Sequence, residues 1–193
     1  VREICQALDA DGALDYFNIT AGGAQSIGAA APMVPAMDTE HGHMRAAAGA
    51  IREMVERPVF VTGRINQPHM AEETIIAGEA DACGMTRALI ADPEMPNKAR
   101  EGRLDDIRAC VACNQSCIGH AHLGAPVSCI QHPETGRELS YGTRGRARAA
   151  REVMVVGGGP GGMKAAAVAA ERGHQVTLYE RGSQLGGQVL LAQ

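Results

Sequence analysis

The chain has 193 residues, 45% of them hydrophobic and 21% charged, the balance of an ordinary globular protein rather than a disordered one. A formal net charge of −4 and a pI near 6.0 argue against a nucleic-acid-binding surface, and no apolar run approaches the length needed to cross a bilayer. Aromatic residues are only 3%, while the 24 glycines suit tight turns and close backbone approach to ligands.

Short apolar segments alternate with helical ones through the first hundred residues. Residues 14–20 (LDYFNIT) read as a strand ending in an AGG turn, 44–56 (MRAAAGAIREMVE) as a helix, and 58–63 (PVFVTG) as a second strand running into a glycine. A helix over 68–80 opens on Pro68, which suits a first helical turn, and 80–93 (ADACGMTRALIADP) reads as a third strand breaking into a loop at Thr86-Arg87. Strands separated by helices at this spacing imply parallel βα units. Three such strands do not close a barrel, so a (β/α)8 reading places more than half of the barrel before Val1 and makes this chain part of a longer protein. His41 and His43, in DTEHGH, read as a solvated cap on the helix that follows.

Four of the six cysteines fall between positions 110 and 129, as Cys110, Cys113, Cys117 and Cys129 in the spacing C-x2-C-x3-C-x11-C. A compact triad with a distant fourth thiolate suits a 4Fe-4S cubane, because three ligands on one loop cap three irons while the fourth arrives from a separate turn. Structural zinc prefers two separate CxxC knuckles, of which one is present, and disulfides suit a small secreted scaffold rather than these flanks. Those two alternatives stay open on spacing alone. His120 and His122 read as solvated loop residues, and Cys5 and Cys83 as ordinary buried thiols.

The stretch 140–152 carries arginines at 144, 146, 148 and 151 without apolar periodicity and reads as a linker. Beyond it, VMVVGGGPGGMKAAAVAAERGHQVTLYER gives a strand, a glycine turn, an alanine-rich helix ending near Gly173, and a strand ending at Glu180. Gly157, Gly159 and Gly162 stand in the GxGxxG pattern that lets a pyrophosphate approach a helix N-terminus. Glu180, at the end of the next strand, is placed to accept from a ribose hydroxyl and to repel a 2′-phosphate.

The succession GRINQPHMAEETIIAGEADACGMTRALIADPEMPNKAREGRLDDIRACVACNQSCIG, then CIQHPETGRE, then VVGGGPGGMKAA resembles the multi-cofactor flavin oxidoreductases that include bacterial 2,4-dienoyl-CoA reductase and trimethylamine dehydrogenase. The resemblance covers nearly the whole chain and moves the cysteine assignment to a 4Fe-4S cluster. It implies an α/β architecture: residues 1–105 as the C-terminal part of an FMN-binding TIM barrel, 106–139 as the iron–sulfur segment, 140–152 as a linker and 153–193 as the start of a Rossmann-like FAD/NAD(P)-binding domain. It further implies an FMN phosphate near Gly63-Arg64 and Thr86-Arg87, and FAD, or ADP alone, at the GxGxxG turn. Gly186 and Gly187 belong with that turn because ERGSQLGGQ resembles the second glycine pair of FAD-binding flavoproteins.

An enzyme of this kind passes electrons between NAD(P)H or a protein carrier, FAD, the cluster and FMN. The expected partners are accordingly a small-molecule substrate and a nicotinamide or electron-transfer protein, with room for a homo-oligomer, in the cytoplasm. The x3 and x11 spacings match the dienoyl-CoA reductase pattern better, which favours reduction of an activated alkene over an amine dehydrogenase or N-demethylase. A zinc-containing nucleotide-binding module without catalytic activity is the reading from another class. Against either specific substrate, the loop 20–36 (TAGGAQSIGAAAPMVPA) has no His, Trp or Asp where those enzymes carry theirs, so no catalytic residue is assigned.

Overall fold

The computed structural model describes residues 1–193 except Ala24, Thr143, Arg144 and Gln193. The described residues divide into two compact units, 1–137 and 138–193.

In the first unit, helix α1 (Arg2–Asp11) precedes strand β1 (Phe17–Ile19), and the short helix α2 (Ile27–Ala30) lies in the loop after that strand. Helix α3 (Arg45–Arg52) leads to β2 (Val59–Thr62), and helix α4 (Pro68–Ile76), with its proline at the first turn, leads to β3 (Ala82–Gly84). The three strands pair in the order β1-β2-β3, all parallel, with Phe17 beside Val59 and Val61 beside Cys83. Because side chains alternate along a strand, Phe17, Val59 and Val61 point to one face. They form the core with Ala48 and Ile51 of α3, Cys5 of α1, Ile65 and Ala80. Asn18, Thr20, Thr62 and Gly84 fall on the opposite face. Among the described residues β1 and β3 are both edges of this sheet.

Ionic contacts lock the end of the sheet where the strands begin. Asp81 accepts from the Val59 amide (2.8 Å) and from Arg52 (2.9 Å), and these bonds hold its carboxyl below the usual carboxylate range. Downstream of β3 the expected loop at Thr86-Arg87 is instead the first turn of helix α5 (Thr86–Ala91), because Met85 already ends the extended backbone. Helix α6 (Met95–Arg100) and, within the cysteine segment, helix α7 (Ile118–His122) follow.

The second unit contains β4 (Glu152–Val156), helix α8 (Pro160–Glu171) and β5 (Gln175–Tyr179), with β4 and β5 parallel and Val153 beside Val176. Val153, Val155, Val176 and Leu178 are half-buried on the sheet face that packs under α8. The linker expected at 140–152 is more ordered than its composition implies. It opens within a π-helical turn (Glu138–Gly142), and the Ala147 amide donates to the Arg172 carbonyl (2.8 Å) at the end of α8. Thr143 and Arg144 of that stretch lie outside the described residues. Among the described residues no helix is long and apolar enough to cross a membrane.

Candidate functional site

A cavity of about 380 Å³ opens at the C-terminal ends of β1, β2 and β3, within the range of small-molecule sites. The parallel register puts Asn18, Thr20, Thr62 and Gly84 on its floor, and the loops that follow β2 and β3 bring Arg64, Asn66, Thr86 and Arg87 to its wall. Two of the wall residues are arginines, and none is a carboxylate, histidine or tyrosine. Such a cavity favours an anion.

Arg64 has a left-handed backbone (φ 55°), uncommon for a residue with a Cβ. The His41 imidazole helps to hold it there by donating from Nδ1 to the Arg64 carbonyl (3.0 Å), while His43 donates from Nε2 to the Pro32 carbonyl (3.1 Å). These two histidines thus brace the strand-end loops, His41 from an exposed position and His43 from a half-buried one. The Nε of Arg64 and the Oδ1 of Asn66 are buried without a hydrogen-bond partner, two polar atoms that an occupant of the cavity could satisfy. Gly63 does not line the cavity. It is buried under His43 and Met44, where an added Cβ would come within 3.0 Å of the Met44 Cβ.

Arg87 is half-buried and makes two bonds through one nitrogen, to the Pro35 carbonyl and to Asn114 Oδ1, both 2.7 Å. Asn114 returns a bond from Nδ2 to the Val34 carbonyl (2.6 Å). Arg87 thus pins the loop after β1 to the cysteine segment as well as facing the cavity.

Cys110, Cys113, Cys117 and Cys129 line a second, smaller cavity of about 20 Å³. Arg87, Ile90, Cys110 and Cys117 stand on the walls of both cavities. All six cysteines are unpaired thiols, which leaves nothing for a disulfide reading. The loop winds through two left-handed residues, Ala112 (φ 55°) and Asn114 (φ 56°), and the first of these turns the Ala112 amide toward Cys110 Sγ (3.4 Å). Burial pushes the Cys110 thiol up, while the Ala112 amide and the Arg87 charge work in the opposite sense. Among the described residues no three His, Cys, Asp or Glu side chains gather closely enough to hold a single metal ion. A cubane makes a different demand: each thiolate binds its own iron, so its four sulfurs surround a volume rather than meet at a point. His120 donates from Nδ1 to the Pro126 carbonyl (3.0 Å), closing the turn after α7, and His122 is exposed.

Both flanks of the cysteine segment are tied to the last turn of α5. Asp92, 3% exposed, accepts from Lys98 Nζ (2.6 Å) and the Arg108 amide (2.9 Å) through Oδ2, and from the Glu94 amide (3.2 Å) through Oδ1. Burial works to raise the Asp92 carboxyl, but the Lys98 bond and the two amides outweigh it and hold the group below the usual carboxylate range. Arg108 also donates to the Ala91 carbonyl (3.0 Å), and from the far flank His132 and Thr135 donate to the Ile90 carbonyl (both 3.1 Å). None of these tethers is marked in the sequence by periodicity or motif.

In the second unit the glycine turn is set by the end of β5. The Gly157 amide donates to the Tyr179 carbonyl (2.8 Å), and the Glu180 carboxylate accepts from Gly158 (2.6 Å) and Gly182 (2.8 Å), which holds it below the usual range. Gly186 donates to the Gly158 carbonyl (2.8 Å). A Cβ on Gly162 would overlap the Gly157 carbonyl oxygen, and one on Gly187 would come within 3.1 Å of the Gly159 Cα. Gly157, Gly159, Gly162, Glu180, Gly186 and Gly187 are therefore brought together around the first turn of α8.

Residues 18–106 match the family described as NADH:flavin oxidoreductase / NADH oxidase. The chain belongs to that family. Residues 152–191 match FAD dependent oxidoreductases. Among the relatives, the N,N-dimethylglycine/sarcosine dehydrogenase of Chromohalobacter salexigens is 39% identical over 100% of the chain and 28% of its own length. The cinnamate reductase of Clostridium sporogenes is 40% identical over 72% of the chain and 21% of its own length. Among solved structures, 2-naphthoyl-CoA reductase in complex with 2-naphthoyl-CoA superposes with a TM-score of 0.87 at 36% identity, covering 98% of this chain and 28% of that one. The chain thus spans between about a fifth and little more than a quarter of the length of these relatives.

Proposed function

We propose that this chain carries the cofactor-bearing heart of a cytoplasmic flavin- and iron–sulfur-dependent oxidoreductase that reduces an activated alkene at the expense of NAD(P)H. The observation that carries the reading is the shared wall: a cationic cavity of flavin size that has Arg87, Ile90, Cys110 and Cys117 in common with the cavity of the four cysteines. On this reading the barrel-end cavity receives FMN, with Arg64, Arg87 and the backbone at Thr86 serving its phosphate. Cys110, Cys113, Cys117 and Cys129 ligate a 4Fe-4S cluster, for which the four free thiols on one cavity and the Ala112 amide directed at sulfur are the fitting donor set. The turn of Gly157, Gly159 and Gly162, with Glu180, Gly186 and Gly187, opens a Rossmann-like domain and takes the ADP moiety of FAD, or ADP itself.

When bound, the flavins supply hydride chemistry and the cluster supplies single-electron transfer. The residues of this chain bind and orient. Arg64 and Arg87 would neutralise an anion, and Met33, Val34, Ile65, Met85 and Ile90 would offer apolar contact to the flavin ring. Glu180 holds the glycine turn in shape through Gly158 and Gly182 while retaining lone pairs for a ribose hydroxyl.

Cinnamate reductase and 2-naphthoyl-CoA reductase, both relatives named for reducing an unsaturated acid or its thioester, favour the alkene reading. The dimethylglycine dehydrogenase relative favours a second, oxidative N-demethylation. The test uses the full-length protein purified anaerobically. About four irons per chain, FMN and FAD in the extract, and NAD(P)H oxidation that depends on an α,β-unsaturated acyl substrate support the proposal. Turnover of secondary or tertiary methylamines in its place would move it to the second reading. A colourless protein holding zinc would end both.

A further inference from the structure

Asn66 follows β2 by four residues and is 9% exposed. It lines the 380 Å³ cavity, and its Nδ2 donates to the main-chain carbonyl of Cys110 (2.8 Å). That carbonyl can only accept, so the amide nitrogen must face it, and the side-chain orientation is fixed without reference to anything in the cavity. The consequence is that Oδ1 is left buried and without a partner, on the same cavity wall as the equally unpartnered Nε of Arg64. A buried amide oxygen is unfavourable until a donor reaches it. An acceptor and a cationic donor among the residues lining one cavity match a ligand that offers both a hydroxyl or N–H and an acceptor oxygen, as the polyhydroxyl phosphate arm of a flavin nucleotide does.

We propose that Asn66 is a positioning residue that couples occupancy of the flavin cavity to the seating of Cys110. The inference rests on the cofactor reading above and extends it. A donor from the cavity engaging Oδ1 polarises the amide, so Nδ2 binds the Cys110 carbonyl more tightly. The two sites are then linked through one side chain, and linkage is reciprocal: flavin steadies the cluster and the cluster steadies flavin by the same factor.

The test uses the full-length holoprotein. Loss of the visible iron–sulfur band to a ferrous chelator is timed under anaerobic reducing conditions, first with FMN bound and then after FMN has been stripped. In the wild type, stripping FMN should speed bleaching roughly two- to tenfold, the range of one buried hydrogen bond. In Asn66→Ala the bleaching rate should be the same with and without FMN. If the variant bleaches faster in both states but keeps the wild-type ratio, Asn66 is only an anchor and the coupling is wrong.

A second measurement needs no variant. Removing the cluster from the wild type must weaken FMN binding at equilibrium, and an unchanged FMN dissociation constant overturns the proposal. A full-length protein holding neither FMN nor iron would overturn the cofactor reading and, with it, this inference. Both cofactors present without any coupling would overturn the inference alone.

Discussion

Asp92→Asn isolates what holds the cysteine segment on the end of the barrel. The substitution keeps the size of the side chain, so no cavity is opened. It removes the charge opposite Lys98 and leaves one acceptor oxygen for donors that now reach two, so an NH2 group must face either Lys98 and the Arg108 amide or the Glu94 amide. Removing one partner of a buried ion pair costs about 3–5 kcal/mol when both charges are enclosed. The Lys98 side chain is 16% exposed and also donates to the Asp106 carbonyl (2.9 Å), so it is less stranded, and about 2–3 kcal/mol is the appropriate range. Expressed locally, that is a rise of roughly 30- to 150-fold in the opening of the segment. Hydrogen exchange followed by mass spectrometry on a peptide spanning residues 103–112 reads it directly, because the Arg108 amide is the proton that Asp92 protects. Protection at Arg108 unchanged within threefold in the variant would show that the segment is held by its other tethers and that the Asp92 argument is wrong.

The pH dependence follows from the same group. The folded-state pKa of Asp92 is depressed, so its contribution is complete above its unfolded value of about pH 4 and is lost as pH falls through the lower folded value. Arg108 protection, corrected for intrinsic exchange, should be flat at neutral pH and fall on this acid limb, which Asp92→Asn should abolish. Cys113→Ala removes one thiolate from the cluster site: the iron–sulfur absorption should bleach and electron transfer between the flavins should stop, while extractable FMN is retained. A full complement of iron in that variant would refute the ligand assignment. Glu180→Arg replaces an acceptor of two backbone amides with a cation, so FAD or ADP content should drop by at least tenfold while FMN content stays at the wild-type level.

The βα alternation of the first unit was legible because parallel strands leave a local signature: apolar runs at 58–63 and 80–84 separated by a helix opened by Pro68. The glycine turn of the second unit was legible for a related reason. Gly162 and Gly187 stand where another backbone approaches too closely for a Cβ, and such positions tolerate little else. What stayed hidden was polar and long-range. Asp92 in ADP reads as part of the loop after the third strand, and nothing within ten residues of it announces a bond to the Arg108 amide. The pairing of Asn66 with Cys110 and of Arg87 with Asn114 spans 44 and 27 positions, so no period or spacing records it. The bracing role of the DTEHGH histidines is not legible in the sequence because the carbonyl acceptors at Arg64 and Pro32 reach them only once the chain is folded. Thr86-Arg87 reads as a loop because a residue run of TRALIA after a glycine carries no cap signal, yet it starts a helix.

These hidden bonds hold the backbone of the loop that meets the cavity. The loop 20–36 meets the cavity through Thr20, Met33 and Val34. Its backbone, not its side chains, is what the cysteine segment and the strand ends hold: Asn114 takes the Val34 carbonyl, Arg87 the Pro35 carbonyl and His43 the Pro32 carbonyl. Side chains on that loop can therefore change without releasing the contact that keeps the cavity against the cysteines. The helix α5 closes the same connection from the other side, with Thr86 and Arg87 at the cavity and Ile90, Ala91 and Asp92 gripping both flanks of the cysteine segment. A substitution in the loop should act on which molecule is reduced or oxidised, whereas one in α5 should act on whether electrons cross at all.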